Sequence, residues 1–265
     1  MTPETVSKAI GAPVRGLTRL QGGDLSEVFR VDMADGRRMA LKHGAHVATE
    51  ARMLNAMTLA GAPVPEVLHQ TGRMLFLEWL DEAPASDAGW RALGEGLRLL
   101  HDTTGPDYGW PEAHAFGPLP LRNDPADRWP EFWAGARLRP FVPLLSGALP
   151  SRIEALAAAL PERLPTHPAP ALLHGDLWSG NALFGALRTW MIDPACYHGD
   201  AEVDLAMLEL FTAPPAAFRQ GYGATAPDRI SRRAIYQLFP ALVHLHLFGG
   251  GYAGLVDRLL TETGH

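Results

Sequence analysis

From Glu27 to Met33 apolar and polar residues alternate, Ala34-Asp35-Gly36 supplies turn chemistry, and Arg38 to His43 resumes an extended pattern. Together these predict a β-hairpin. Ahead of it, Gly22-Gly23 permits a tight turn and close approach of the backbone to a ligand. From His46 to Ala60 the apolar residues Val47, Ala51, Leu54 and Met57 recur at helical spacing, and Gly61, Pro63 and Pro65 end the run. Glu66 to His69 and Met74 to Trp79, with Gly72 between them, predict two further short strands. Residues 1–80 therefore read as β-β-α-β-β.

After Leu80 the pattern changes. Residues 81–86 are polar and turn-prone, and the periodicity beyond them is mostly helical, most clearly at Gly89 to His101, Arg152 to Leu164 and Ser231 to Phe248. A boundary near residue 81 divides a small β-rich unit, 1–80, from a larger helical one, 81–265. Residues 103–130 are rich in Pro, Gly and Asp and read as an ordered but irregular connection. There is no internal repeat and no low-complexity tract.

The chain has 265 residues, 47% of them hydrophobic, enough to bury a sizeable core. Its apolar stretches are interrupted well before the roughly 20 residues a membrane span needs, and residues 1–10 lack an apolar signal core, so a cytoplasmic protein is expected. Cys196 is the one cysteine, which excludes an internal disulfide. A net charge of -6 argues against a nucleic-acid partner and suits a neutral or cationic small molecule. Lysine occurs only at Lys8 and Lys42 among 23 basic residues. In so arginine-rich a chain, a retained lysine can mark a position that needs a compact ammonium; the plain alternative is that both are leftovers.

The strongest chemical signal is Ala171 to Asn181, an apolar strand running into the polar loop HGDLWSGN. Phosphoryl transfer from ATP needs a carboxylate to take or orient the acceptor hydroxyl's proton and oxygen ligands to hold magnesium beside the phosphates. Asp176 and Asn181, five residues apart, supply one of each. Alone the pattern is weak, because Asp and Asn commonly cap turns. It gains weight because a short apolar strand, Thr189 to Ile192, delivers Asp193 twelve residues after Asn181. Upstream, Lys42 ends a strand and Glu50 lies in the next helix, where the two can form an ion pair that aims the ammonium at phosphates. Each residue has an ordinary alternative as a surface charge or turn former; the set in this order does not.

This order is that of the protein-kinase-like superfamily, and HGDLWSGN resembles the fructosamine (ketosamine) kinase family in particular. The segments IDPACYHGDAEVDLAM, 192–207, and YQLFPALVHLHLFGGGY, 236–252, are also similar to it. Weaker matches are Gly22-Gly23, the Lys42 and Glu50 pair, the hinge-like LFLEWL that carries Glu78, and GLRLLH at 96–101. The resemblance implies a two-lobed α/β (α+β) fold with ATP and magnesium in the cleft. Asp176 would be the base, Asn181 and Asp193 the magnesium ligands, and Lys42 with Glu50 the phosphate-positioning pair. Gly22, Gly23 and Glu78 would belong to the nucleotide site. Asp204, with His174, would brace the catalytic loop; the plain reading of Asp204 is a first-turn helix aspartate. Trp178, His198 and Asp200 are the candidate substrate contacts. The implied reaction phosphorylates a ketosamine hydroxyl, at carbon 3, in protein deglycation, and a monomer is expected.

Some residues depart from the family. Asp24 stands where some members have cysteine, so redox control through that thiol is not expected. The usual Gln-x-Asn is missing, with Leu121-Arg122-Asn123 nearest, and His198 replaces a frequent tyrosine. Trp178 could wall a substrate or anchor its loop in the core. His244 and His246, two apart on an apolar helix, do not share a face and read as packing or substrate-rim residues, not a metal pair. The rival readings are another small-molecule kinase, acting on an aminoglycoside or choline-like alcohol, and a silent nucleotide-binding module. The silent module is expected to lack one of Lys42, Asp176, Asn181 or Asp193, and all are present. Protein-kinase activity fits less well, because no long segment separates Asp193 from the helix near Glu202.

Overall fold

The computed structural model describes residues 1–20, 27–186 and 188–265. Thr2 caps helix α1 (Pro3–Ile10) by accepting the Thr5 amide. Strands β1 (Val14–Arg19), β2 (Glu27–Met33) and β3 (Arg38–His43) follow, then helix α2 (Val47–Leu59) and strands β4 (Val67–Thr71) and β5 (Met74–Glu78). They form one five-stranded antiparallel sheet in the order β1-β2-β3-β5-β4.

The two-residue period of a strand explains how this sheet presents chemistry. On one face Val31, Leu41 and Phe76 pack with Val6 of α1. On the other, Leu75, Leu77 and Ala40 pack with Val47, Ala51 and Leu54 of α2. Lys42, next to Leu41 in β3, thus points to the α2 face, where Glu50 waits.

The rest is mostly helical. Ser86 caps α3 (Asp87–Asp102) by accepting the Gly89 amide. A hairpin of β6 (His114–Phe116) and β7 (Leu119–Leu121) precedes α4 (Trp129–Phe132), which runs on as wider and tighter helical turns to Leu144. Helix α5 (Leu149–Arg163) leads to the short strands β8 (Ala171–Leu173), β9 (Ala182–Phe184), β10 (Thr189–Met191) and β11 (Tyr197–Gly199). Strand β8 pairs with β11 and β9 with β10. Helices α6 (Glu202–Phe211), α7 (Ala216–Tyr222), α8 (Arg229–Phe248) and α9 (Ala253–Glu262) complete the chain.

The largest core joins α5, α6, α8 and α9 around Trp129, Trp133, Tyr236 and Phe239. A second core carries Met53 and Met57 of α2 against Leu97, Leu172, Leu177 and Met191, fastening the sheet unit to the helical one beside the polar loops. The fold is therefore two-lobed, a small sheet lobe on a larger helical lobe. Among the described residues no helix is long and apolar enough to cross a membrane.

The pattern reading for residues 1–80 is corrected by one helix and one strand, α1 and β1. Helix α1 buries only Val6, and β1 is an edge strand whose residues are all exposed or half-buried, so neither leaves a clear periodic trace. The irregular connection at 103–130 contains the β6/β7 hairpin, whose three-residue strands are too short for a pattern to show.

Candidate active site

Strand β8 ends the apolar run at Leu173, and the next residues turn over a buried carboxylate. Asp204, fully buried at the start of α6, accepts the His174 amide at 2.7 Å and the Gly175 amide at 2.9 Å, and bonds His101 Nε2 at 3.1 Å. Burial opposes its ionisation, but the hydrogen bond and charge of His101 and the Gly175 amide hold the pKa below the usual aspartate value. His174, also fully buried, bonds the Ile192 carbonyl through Nε2 at 2.9 Å, leaving Nδ1 to accept the Asp176 amide at 3.3 Å. The carbonyl accepts only, so the proton sits on Nε2. Burial pushes the ring's pKa down and keeps it neutral.

Gly175 has φ +80°, and a Cβ there would lie 2.1 Å from the Ala195 carbonyl oxygen. The close approach is set by the Ala195 amide, which donates to the His174 carbonyl at 2.9 Å. Gly175→Ala should therefore cost about 2–4 kcal/mol from a left-handed backbone and a backbone clash. Thermal melts read this directly, and an unchanged Tm would contradict it.

The loop brings Asp176 and Asn181 together. Asn181 Nδ2 donates to the Asp176 carbonyl at 2.7 Å and to its Oδ2 at 3.0 Å. Both partners are oxygens, which assigns the amide nitrogen to them and leaves Asn181 Oδ1 as the remaining donor atom for a cation. Asp176 is half-buried, at the edge of a cleft. This burial raises its pKa well above that of ordinary aspartate, and the Asp193 and Asp204 charges raise it further, against the pull of the Asn181 hydrogen bond.

From the other side, β10 delivers Asp193, the one non-glycine residue with positive φ among those described, at φ 57°. Asp tolerates that conformation better than most residues. Lys42 Nζ donates to Asp193 Oδ1 at 2.7 Å and to Glu50 Oε1 at 2.6 Å. The ammonium is 5% exposed at residue level, and burial opposes its charge, but the two carboxylates win and hold its pKa above the usual lysine value. A strand, a helix and a loop distant in sequence thus share one cation.

Asn181 Oδ1 and the half-exposed Asp193 carboxylate are hard oxygen donors of the kind magnesium takes alongside phosphate oxygens and water. Among the described residues no group of three or more His, Cys, Asp or Glu could hold a metal. A metal here fits one that shares its ligands with a bound phosphate.

Beside Asp176 opens a cleft of about 340 Å³, counted with the solvent space at its mouth. Gly175 and Asp176 form one side, and Phe116, Val203, Met207, Tyr236, Phe239, Pro240, Val243 and His244 complete its lining. Apart from Asp176 and His244 the reading from sequence missed these residues. Their signal is the apolar character of α6 and α8, which is indistinguishable from core packing.

The other candidates are placed as follows. Trp178 is 41% exposed, with its ring folded over Gly180, so the loop's core anchor is instead its neighbour Leu177, which is fully buried. His198 lies in β11 with its ring stacked on Trp110 at 5.8 Å and hard against Gly105, and is not among the residues lining the cleft. Asp200 is buried; its Oδ2 accepts the Tyr236 hydroxyl at 2.7 Å and its Oδ1 the Glu202 amide at 3.0 Å. Glu78 is at the end of β5, where its Oε2 meets the Glu66 amide at 3.4 Å, outside the Lys42 cluster. Gly22, Gly23 and Asp24 lie outside the described residues. Asn123 is buried, with its Oδ1 accepting from Arg137 at 2.7 Å.

A two-lobed fold with a lysine–glutamate pair from the sheet lobe bonded to Asp193 of the helical lobe, next to the Asp176–Asn181 loop, defines a phosphotransferase of the protein-kinase-like class. The same fold is seen at TM-scores of 0.66 in a choline/ethanolamine kinase family protein from Mesorhizobium loti (20% identical, 98% of this chain and 92% of that one) and in aminoglycoside phosphotransferases. The family model of fructosamine kinases matches residues 2–263, and the chain belongs to that family. It is 39% identical over 202 residues to a protein of Synechocystis named a probable ketoamine kinase, covering 71% of this chain and 66% of that one. A Thermus thermophilus protein of the same designation is 32% identical over 99% of this chain and all of its own length. The crystal structure of a protein designated a fructosamine-3-kinase from Thermobifida fusca superposes with a TM-score of 0.91 at 29% identity, over 99% and 98% of the two chains.

Proposed function

We propose that this protein transfers the γ-phosphoryl group of ATP to a hydroxyl of a ketosamine, at carbon 3, and that its work is deglycation. The observation that carries the reading is the convergence of Lys42, Glu50 and Asp193 with the Asp176–Asn181 pair, beside an otherwise uncharged cleft. Relatives named ketoamine and fructosamine kinases support the substrate class.

Residues 1–80 form the nucleotide lobe, with Glu78 where the chain leaves it, and residues 81–265 the catalytic and substrate lobe. Lys42, held by Glu50, turns from Asp193 to the nucleotide's phosphates. The sugar oxygen bonds to the γ-phosphorus as the bond from that phosphorus to the bridging oxygen of ADP breaks; the hydroxyl proton passes to the Asp176 carboxylate. Asn181 aims that carboxylate, and Asp204 with His174 fixes the loop that carries it. Magnesium, held by Asn181 and Asp193, would neutralise charge on the phosphates. The chain does little covalent chemistry; positioning and electrostatics supply the rate. Trp178, exposed beside Asp176, walls the sugar.

Asp193→Ala should lose magnesium-dependent nucleotide binding, whereas Asp176→Ala should keep it. Calorimetric titration of ATP with and without magnesium separates the two. Equal binding by both variants would remove Asp193 from the metal site. A phosphorus–proton correlation spectrum of the product assigns the position, with coupling to the carbon-3 proton expected.

A further inference from the structure

Phosphoryl transfer leaves one end of the cleft unexplained. There His244 of α8 is surrounded by rings, Tyr252 at 5.0 Å, Phe211 at 5.1 Å and Phe248 at 5.4 Å between centroids. Phe211 and Phe248 are 44% and 49% exposed, an uncommon placement for two large apolar side chains around one histidine. The shelf is tied to the catalytic loop, since Thr212, next to Phe211, donates its hydroxyl to Ser179, next to Trp178, at 2.9 Å.

The ring of His244 has a fixed polarity. Its Nδ1 lies 2.8 Å from the Pro240 carbonyl oxygen, which can only accept, so the neutral imidazole carries its proton there and offers Nε2 as an acceptor. Asp176 is the one charged side chain lining the cleft among the described residues. Along this lining a carboxylate-bearing ligand would meet the Asp176 charge and no Lys or Arg side chain. A protonated amine with a hydrocarbon substituent would find an acceptor at Nε2, ring faces that attract cations, and an apolar surface.

We propose that Phe211, His244, Phe248 and Tyr252 form an amine subsite. It selects ketosamines whose secondary amine carries an alkyl or aryl group over those whose amine carries a carboxylate. The inference rests on the ketosamine kinase reading but can be tested apart from it.

Benzylammonium and benzoate are titrated into the full chain by calorimetry. Benzylammonium is expected to bind at least ~10-fold more tightly, and Phe248→Ala to weaken it about 10-fold, as the loss of one aromatic–cation contact implies. In turnover, an N-benzyl ketosamine should show a KM at least ~10-fold below that of a glycine-derived ketosamine, and Phe248→Ala should erase the difference through KM more than kcat. Equal binding of the two ions, or an unchanged preference in Phe248→Ala, would overturn the subsite. Benzylammonium binding that depends on Phe248, with no ketosamine turned over, would uphold the subsite and overturn the ketosamine reaction.

Discussion

Asp176→Asn loses turnover by at least ~10³-fold, the scale of a positioned base, while the protein becomes more stable. Asparagine keeps the shape and can still accept from Asn181 Nδ2, so the loop geometry persists. It cannot take the hydroxyl proton. The gain in stability follows from the raised pKa of Asp176, caused first by burial of the carboxyl. Because the folded state favours the protonated form, its contribution to stability is present below the unfolded pKa and is lost as pH rises through the folded value. Above the unfolded pKa the wild type therefore carries a cost that Asp176→Asn removes, and a rise in Tm of roughly 2–4 °C is expected at neutral pH. The Tm gap between the two proteins should widen as pH rises through that window. In the wild type, kcat/KM should fall as pH drops below the same raised pKa, since the base must be ionised. A variant less stable than wild type at neutral pH would contradict the buried-charge explanation.

Asp204→Ala acts in the opposite sense. Its removal leaves the buried amides of His174 and Gly175 and the His101 ring without their acceptor. Each unsatisfied buried donor costs about 1–3 kcal/mol, so a loss of about 3 kcal/mol or more is expected, roughly 6–12 °C in Tm. Turnover should collapse in the fraction that remains folded, because Asp176 sits one residue beyond the freed loop. Asp204→Asn keeps one acceptor oxygen but turns an amine toward a donor, and should fall between. The pKa of Asp204 is lowered, so its stabilisation is present above the ordinary aspartate value and is lost as pH falls through the folded one. A melt of Asp204→Ala that matches the wild type would remove this carboxylate as the loop's brace.

What could be read from the chain follows from how local each signal is. Helices α2, α3, α5 and α8 and the β2–β3 hairpin have their whole pattern in contiguous residues, and the structure places them within a few residues of expectation. The site residues Lys42, Glu50, Asp176, Asn181 and Asp193 stand out because each is polar next to an apolar strand or on a helix, and their order matches a chemical need. That Lys42 reaches both Glu50 and Asp193 depends on packing of Met53 and Met57 against the helical lobe, which no local pattern encodes. Asp200 shows the reverse case. The family resemblance marks it as a substrate candidate, but the chain Trp129–Tyr236–Asp200, whose links join residues 107 and 36 positions apart, engages its carboxylate in the interior. Phe239, Val243 and Met207 line the cleft and would be assigned to the core by any hydrophobic pattern.

The measurement that tests the central claim most directly is ADP release by the purified protein with ATP, magnesium and, in turn, a fructosamine, a ribulosamine, an aminoglycoside and choline. Release that requires a ketosamine and is lost in Asp176→Asn is the predicted result. Release only with choline or the aminoglycoside, or release with a ketosamine that persists in Asp176→Asn, would contradict it.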